Sequence, residues 1–97
     1  PEKQVARWVA IRYTSNHISD YIEIDDQHAI FEVEVPESWV GRSIGALDVR
    51  RRFGINILGV KRAGKTDVSV TPETVLAKDE AILALGEYKA MQRCFRI

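Results

Sequence analysis

The 97 residues suffice for one small domain and not two, and a chain of this length can bury about two thirds of its unfolded surface. With 45% hydrophobic and 29% charged residues the composition is that of an ordinary folded protein, not of a disordered segment. Fourteen Lys and Arg balance fourteen Asp and Glu, which argues against a dedicated nucleic-acid binder; the single Cys94 excludes an internal disulfide, and no apolar run approaches the roughly 20 residues that span a bilayer.

From Glu2 to Tyr13 the pattern is helical: Val5, Trp8, Val9 and Tyr13 recur at spacings of three and four. Charges stand among the first ten residues where a signal peptide is apolar, so the reading is a soluble, intracellular protein. A chain that opens on Pro1 reads as a piece excised from something longer. Ser15-Asn16 stops the helix, and a connector with Ile18, Ile22 and Ile24 follows, bracketed by Ser19-Asp20 and Asp25-Asp26. The pattern sets this opening apart from the sheet that comes next.

Phe31, Val33 and Val35 alternate with Glu32 and Glu34 as in a strand with one wet face, and Pro36 ends it. Ser38 to Gly54 reads as two helical turns, the first capped by Ser43, the second, Val49 to Phe53, capped by Asp48 and closed by Gly54. Ile55 to Arg62 is a second strand, Ala63-Gly64-Lys65 a turn, and Asp67 to Val70 a third strand. After a loop from Pro72 to Lys78, Ala81 to Leu85 reads as a buried strand, and Gly86 opens a last amphipathic helix on Tyr88, Met91 and Phe95. The order predicts an α+β domain: a small, mainly antiparallel β-sheet with short helices, preceded by a lead-in helix.

No catalytic constellation stands out, and the reading is a non-enzyme. His28 beside Asp25 and Asp26 is a weak metal candidate, because acidic residues before a strand are ordinarily a solvated turn. Cys94, at helical spacing from Ala90 and Met91, fits a small buried hydrophobe. The segment Asp48-Val49-Arg50-Arg51-Arg52-Phe53-Gly54-Ile55-Asn56-Ile57 carries more. Arginines at the end of a short helix are accounted for by the helix dipole and solvation. Asn56 is harder to dismiss: on a strand where Asn56, Leu58 and Val60 share a face and Ile55 and Ile57 the other, an amide needs partners if buried. A guanidinium, an amide and isoleucines this close can receive a phosphate and a flat heterocycle, or they can be ordinary surface.

The segments Glu32-Val33-Glu34-Val35-Pro36, Trp39-Val40-Gly41-Arg42-Ser43-Ile44, Leu47-Asp48-Val49-Arg50, Phe53 through Arg62, Pro72 and Asp79 through Gly86 resemble, in order and spacing, one known lobe. It is the C-terminal lobe (RCK C-lobe, TrkA-C-like) of regulator-of-potassium-conductance proteins, the cytosolic gating subunits of Trk/Ktr-type bacterial potassium uptake systems. The likeness runs from Ala29 to Gly86. It implies a boundary near residue 27: residues 1–26 would be the helix and crossover from the end of a nucleotide-binding N-terminal lobe, and residues 27–97 the C-terminal regulatory domain.

The resemblance further implies a cytoplasmic homodimer, held at the inner face of the plasma membrane by a potassium transporter or channel subunit. In several members cyclic di-AMP binds between the paired lobes and inhibits transport. Carried over by position, Ile44, Val49, Ile55, Ile57 and Pro72 would form the apolar bed for adenine, Arg50 would meet the phosphate, and Asp48 and Asn56 would fix the base and orient Arg50. The basic run Arg50-Arg51-Arg52 departs from the family pattern and adds nonspecific anion attraction. Neither a metal nor nucleic acid is implied. Two other readings stay open: a ligand-free dimerisation lobe whose isoleucines pack the interface and whose Asn56 is satisfied by backbone, and a metal-sensing lobe using Asp25, Asp26, Glu32, Glu34 or His28.

Overall fold

A computed structural model describes residues 17–97; the helix expected over Glu2–Tyr13 lies outside them. Strand β1 (Ile18–Glu23) and strand β2 (His28–Glu34) form an antiparallel hairpin. Its turn is closed by Asp25, whose Oδ1 accepts the N–H groups of Gln27 and His28, both at 2.8 Å. This corrects the reading of Ile18 to Asp26 as a connector outside the sheet. Only Ile18 is buried along β1, and the register slips between Ile18 and Asp20, so an edge strand shows no clean alternation.

Beyond β2 come a 3-10 turn (Glu37–Trp39), helix α1 (Ile44–Leu47) and helix α2 (Val49–Phe53). Ser43 caps α1 as expected, its Oγ accepting the N–H of Ala46 at 3.1 Å. Asp48 does not cap α2 with its side chain: it takes a left-handed backbone (φ 54°, ψ 34°) that turns the chain from one helix into the next. Gly54, also left-handed at φ 73°, closes α2.

Strand β3 (Asn56–Arg62) turns through Ala63-Gly64 into strand β4 (Lys65–Asp67). The expected third strand over Asp67 to Val70 is thus shifted; Val68, 71% exposed, lies past its end. Strand β5 (Ala81–Glu87) runs two residues further than expected, so Gly86 stays in the sheet opposite Ala29 and helix α3 (Tyr88–Phe95) starts after Glu87.

The five strands lie in the order β1-β2-β5-β3-β4, every pair antiparallel, which gives the α+β class the pattern predicts. The last strand in sequence is the central one. Phe31, Val33, Ile82, Ala84 and Val60 from the sheet join Leu47, Val49, Leu76, Ala90 and Met91 in one buried cluster. On the other face Lys61 reaches over β5 to Glu32, Nζ to Oε1 2.8 Å, and ties β2 to β3. An irregularity between Ile57 and Gly59 breaks the expected facing in β3: Asn56 pairs with Leu85 but Val60 with Ile82, on opposite sides of β5, and Leu58 is left exposed at the bulge.

Candidate functional site

Where α1, α2 and the start of β3 meet the loop before β5, they enclose a cleft of about 300 Å3. All eight residues named from the resemblance line it: Ile44, Asp48, Val49, Arg50, Ile55, Asn56, Ile57 and Pro72. Gly45, Val70 and Thr71 complete the lining, and sequence reasoning did not name them. The Thr-Pro pair in a loop and a glycine inside a four-residue helix were the available signals.

Backbone pairing brings Pro72 to residues far away in sequence. The free N–H groups at the start of α1 donate to the loop, Gly45 to the carbonyl of Pro72 at 2.8 Å and Ile44 to that of Thr74 at 2.9 Å. Ser43 bridges Val75, and Leu76 donates to the carbonyl of Arg42 at 3.0 Å while its own carbonyl accepts from Gly41 at 2.8 Å. The approach needs a glycine: a Cβ on Gly45 would stand 3.0 Å from the Pro72 carbonyl oxygen and 3.1 Å from its Cβ.

Ile55 and Val49 are buried at the base of the cleft, Ile44 and Ile57 are half-buried, and Pro72 is exposed at the rim. Into this apolar setting come two polar side chains without partners. Arg50 is exposed and Asn56 half-buried; among the described residues neither side chain makes a hydrogen bond or an ion pair. A half-buried amide left open costs free energy unless water or a ligand meets it. Asp48 differs: its carboxylate is held by Arg51 on the next turn, so the residue expected to orient Arg50 is engaged by the neighbouring guanidinium.

The acidic residues of the metal-sensing reading do not converge. Asp25 sits against His28 Nδ1 at 2.9 Å, Glu34 against His17, and Glu32 against Lys61 and Ser19. The Lys61 ammonium first, then the Ser19 hydroxyl, hold Glu32 below the usual carboxylate range. Among the described residues no three His, Cys, Asp or Glu form a donor set. Burial pushes the Cys94 thiol up to about 11, which leaves it protonated and inert at neutral pH. A larger cleft, about 770 Å3, opens beside His17 and the end of β2; none of the eight residues reaches it.

Residues 29–97, well over half the chain, match the TrkA-C domain. The chain belongs to the TrkA-C domain family. It is 28% identical over 93 residues to Ktr system potassium uptake protein C of Bacillus subtilis (strain 168), and the match takes in 96% of this chain but 42% of that protein. The chain thus spans less than half of the curated relatives it resembles. Among solved structures it is similar to the C domain of the regulator of K+ conductance of the potassium transport protein KtrA in complex with cyclic diadenosine monophosphate. That likeness has a TM-score of 0.64 at 24% identity and covers 96% of this chain and 99% of that one. The RCK_C domain dimer of S. agalactiae BusR, also in complex with c-di-AMP, is 30% identical with a TM-score of 0.57, over 69% of this chain and 89% of that one. The TrkA-C fold, a five-stranded antiparallel sheet with short helices, is the one expected from the motifs. Among the described residues no helix of this domain is long and apolar enough to cross a membrane.

Proposed function

We propose that this TrkA-C domain is the ligand-sensing lobe of a cytosolic gating subunit in a bacterial potassium uptake system, and that it pairs as a homodimer with cyclic di-AMP between its two copies. The observation that carries the reading is the presence of a guanidinium, Arg50, and an amide, Asn56, neither with a partner among the described residues, at a cleft walled by Ile44, Val49, Ile55 and Ile57. A cleft of about 300 Å3 lies at the small end of ligand pockets, about right for half of a two-fold ligand. A symmetric dinucleotide on a dimer axis then meets the same patch twice. The c-di-AMP complexes of the KtrA and BusR domains lend this ligand its priority.

In this reading the isoleucines cover the adenine, Asn56 meets the base edge and Arg50 the phosphate, while Asp48 holds Arg51 at the rim. Residues 1–26 lead in from a nucleotide-binding lobe, and the subunit stands on the cytoplasmic side of a membrane transporter or channel. Ligand binding changes transport by favouring one arrangement of the paired lobes, through its differential affinity for the two.

Calorimetric titration of the chain with cyclic di-AMP, with AMP as control, tests the proposal. The expected outcome is saturable binding that Arg50→Ala weakens by about 1.5–3 kcal/mol, roughly 10- to 150-fold. Heat no greater than that of AMP, or an unchanged constant in Arg50→Ala, points instead to a ligand-free dimerisation lobe.

A further inference from the structure

A second cleft, about 440 Å3, lies between the 3-10 turn, α2 and α3, away from Arg50 and Asn56. Four arginines line it, Arg42, Arg52, Arg93 and Arg96, and no Asp or Glu does. All four are exposed, and among the described residues none is ion-paired. Arg52 and Arg93 stand in the last turns of their helices, where the dipole favours a cation; that accounts for two of the four and not for their convergence.

Two of them are tethered to successive carbonyls at the end of α1. Arg42 donates from Nη2 to the carbonyl of Ala46 at 3.3 Å, and Arg52 from Nη1 to the carbonyl of Leu47, the next residue, at 3.4 Å. Each guanidinium spends one N–H on this tether, and among the described residues the others have no hydrogen-bond partner. The Arg52 guanidinium also lies 5.0 Å from the centre of the Phe53 ring, a further restraint. Trp39 and Phe95, packed at 5.2 Å between ring centres, add an apolar wall. Converging like charges with no carboxylate between them repel one another, and a polyvalent anion turns that repulsion into charge-assisted bonds.

We propose that this cleft binds a compact anion bearing at least two phosphate groups. The volume is that of a small-molecule pocket, and planar guanidiniums match phosphate oxygens. The overall charge balance of the chain and the confinement of the arginines to one cleft favour a compact ligand over a nucleic-acid strand. The two clefts have only Val49 in common, and the arginine site does not depend on the cyclic di-AMP reading.

Inorganic pyrophosphate, titrated calorimetrically at fixed ionic strength, is the probe, with sulfate as the control. Pyrophosphate is expected to bind at least about tenfold more tightly than sulfate, and Arg42→Gln/Arg96→Gln to weaken it by about tenfold or more while Lys65→Gln, exposed on the edge strand β4, leaves it unchanged. A thermal melt checks that the double variant folds; should it not, Arg93→Gln alone carries the same expectation. Vesicles of phosphatidylcholine with and without cardiolipin, whose headgroup carries two phosphates, separate the sources. Co-sedimentation with the acidic vesicles that pyrophosphate reverses assigns the phosphates to a lipid headgroup, and pyrophosphate binding without vesicle binding assigns them to a free metabolite. Equal affinity for pyrophosphate and sulfate, affinity that survives the arginine substitutions, or binding of polyglutamate without pyrophosphate overturns the proposal.

Discussion

Gly45 holds the first cleft together by what it lacks. With a Cβ 3.0 Å from the Pro72 oxygen, Gly45→Ala must push the loop away or strain α1. The expected cost is about 1–3 kcal/mol in urea unfolding, together with weaker cyclic di-AMP binding because Pro72 leaves its place. Equal stability and equal binding would mean that the loop moves freely. At this scale the sequence was informative where one residue has one dominant use: Ser43 caps, Gly54 stops a helix, and Asn56 is conspicuous among aliphatics. It was uninformative at Asp48, which can cap a helix or meet a neighbouring arginine; the left-handed turn between α1 and α2 decided for Arg51. Asp48→Val should cost about 1–2 kcal/mol, since a β-branched side chain resists that backbone, whereas Asp48→Gly should cost less. A thermal melt of the two variants gives the comparison.

Among the elements, β2 was legible from its alternation and β5 from its continuous apolar run, and in the fold both alternate between core and the other face. Strand β1 was not, since an edge strand with one buried residue carries no period, and the bulge in β3 moved Val60 to the face opposite Asn56 without a signal in the residues. The Glu32–Lys61 pair joins β2 to β3 over the central strand. Because Lys61 and Ser19 hold the Glu32 carboxyl below its unfolded value, its contribution is complete above the unfolded value and is lost as pH falls through the folded one. Glu32→Gln should therefore melt below wild type near neutral pH, and the gap should close as pH falls from the ordinary glutamate range through the lower folded value. A gap independent of pH would assign the loss to packing.

For the molecule as a whole, the family was legible from the order of short motifs, and the first cleft through that resemblance; spacing alone does not bring Ile44 to Pro72. The arginine cleft was hidden, because its four cations come from three separate segments. If two copies share one ligand, cyclic di-AMP at about a hundred times its dissociation constant should add roughly 2.7 kcal/mol per site and raise Tm by about 10 °C or more. Sedimentation should show the dimer fraction rising in parallel, and a ligand-independent sedimentation profile would count against sensing at a shared interface. The central place of β5 also bears on how the chain is made. Strands β2 and β3 have no edge to each other and must wait for residues 81–87 to slot between them. On a ribosome adding about 5–20 residues per second, several seconds pass with the Phe31 and Val60 faces unmatched. Chaperone capture during translation has its natural target in that interval.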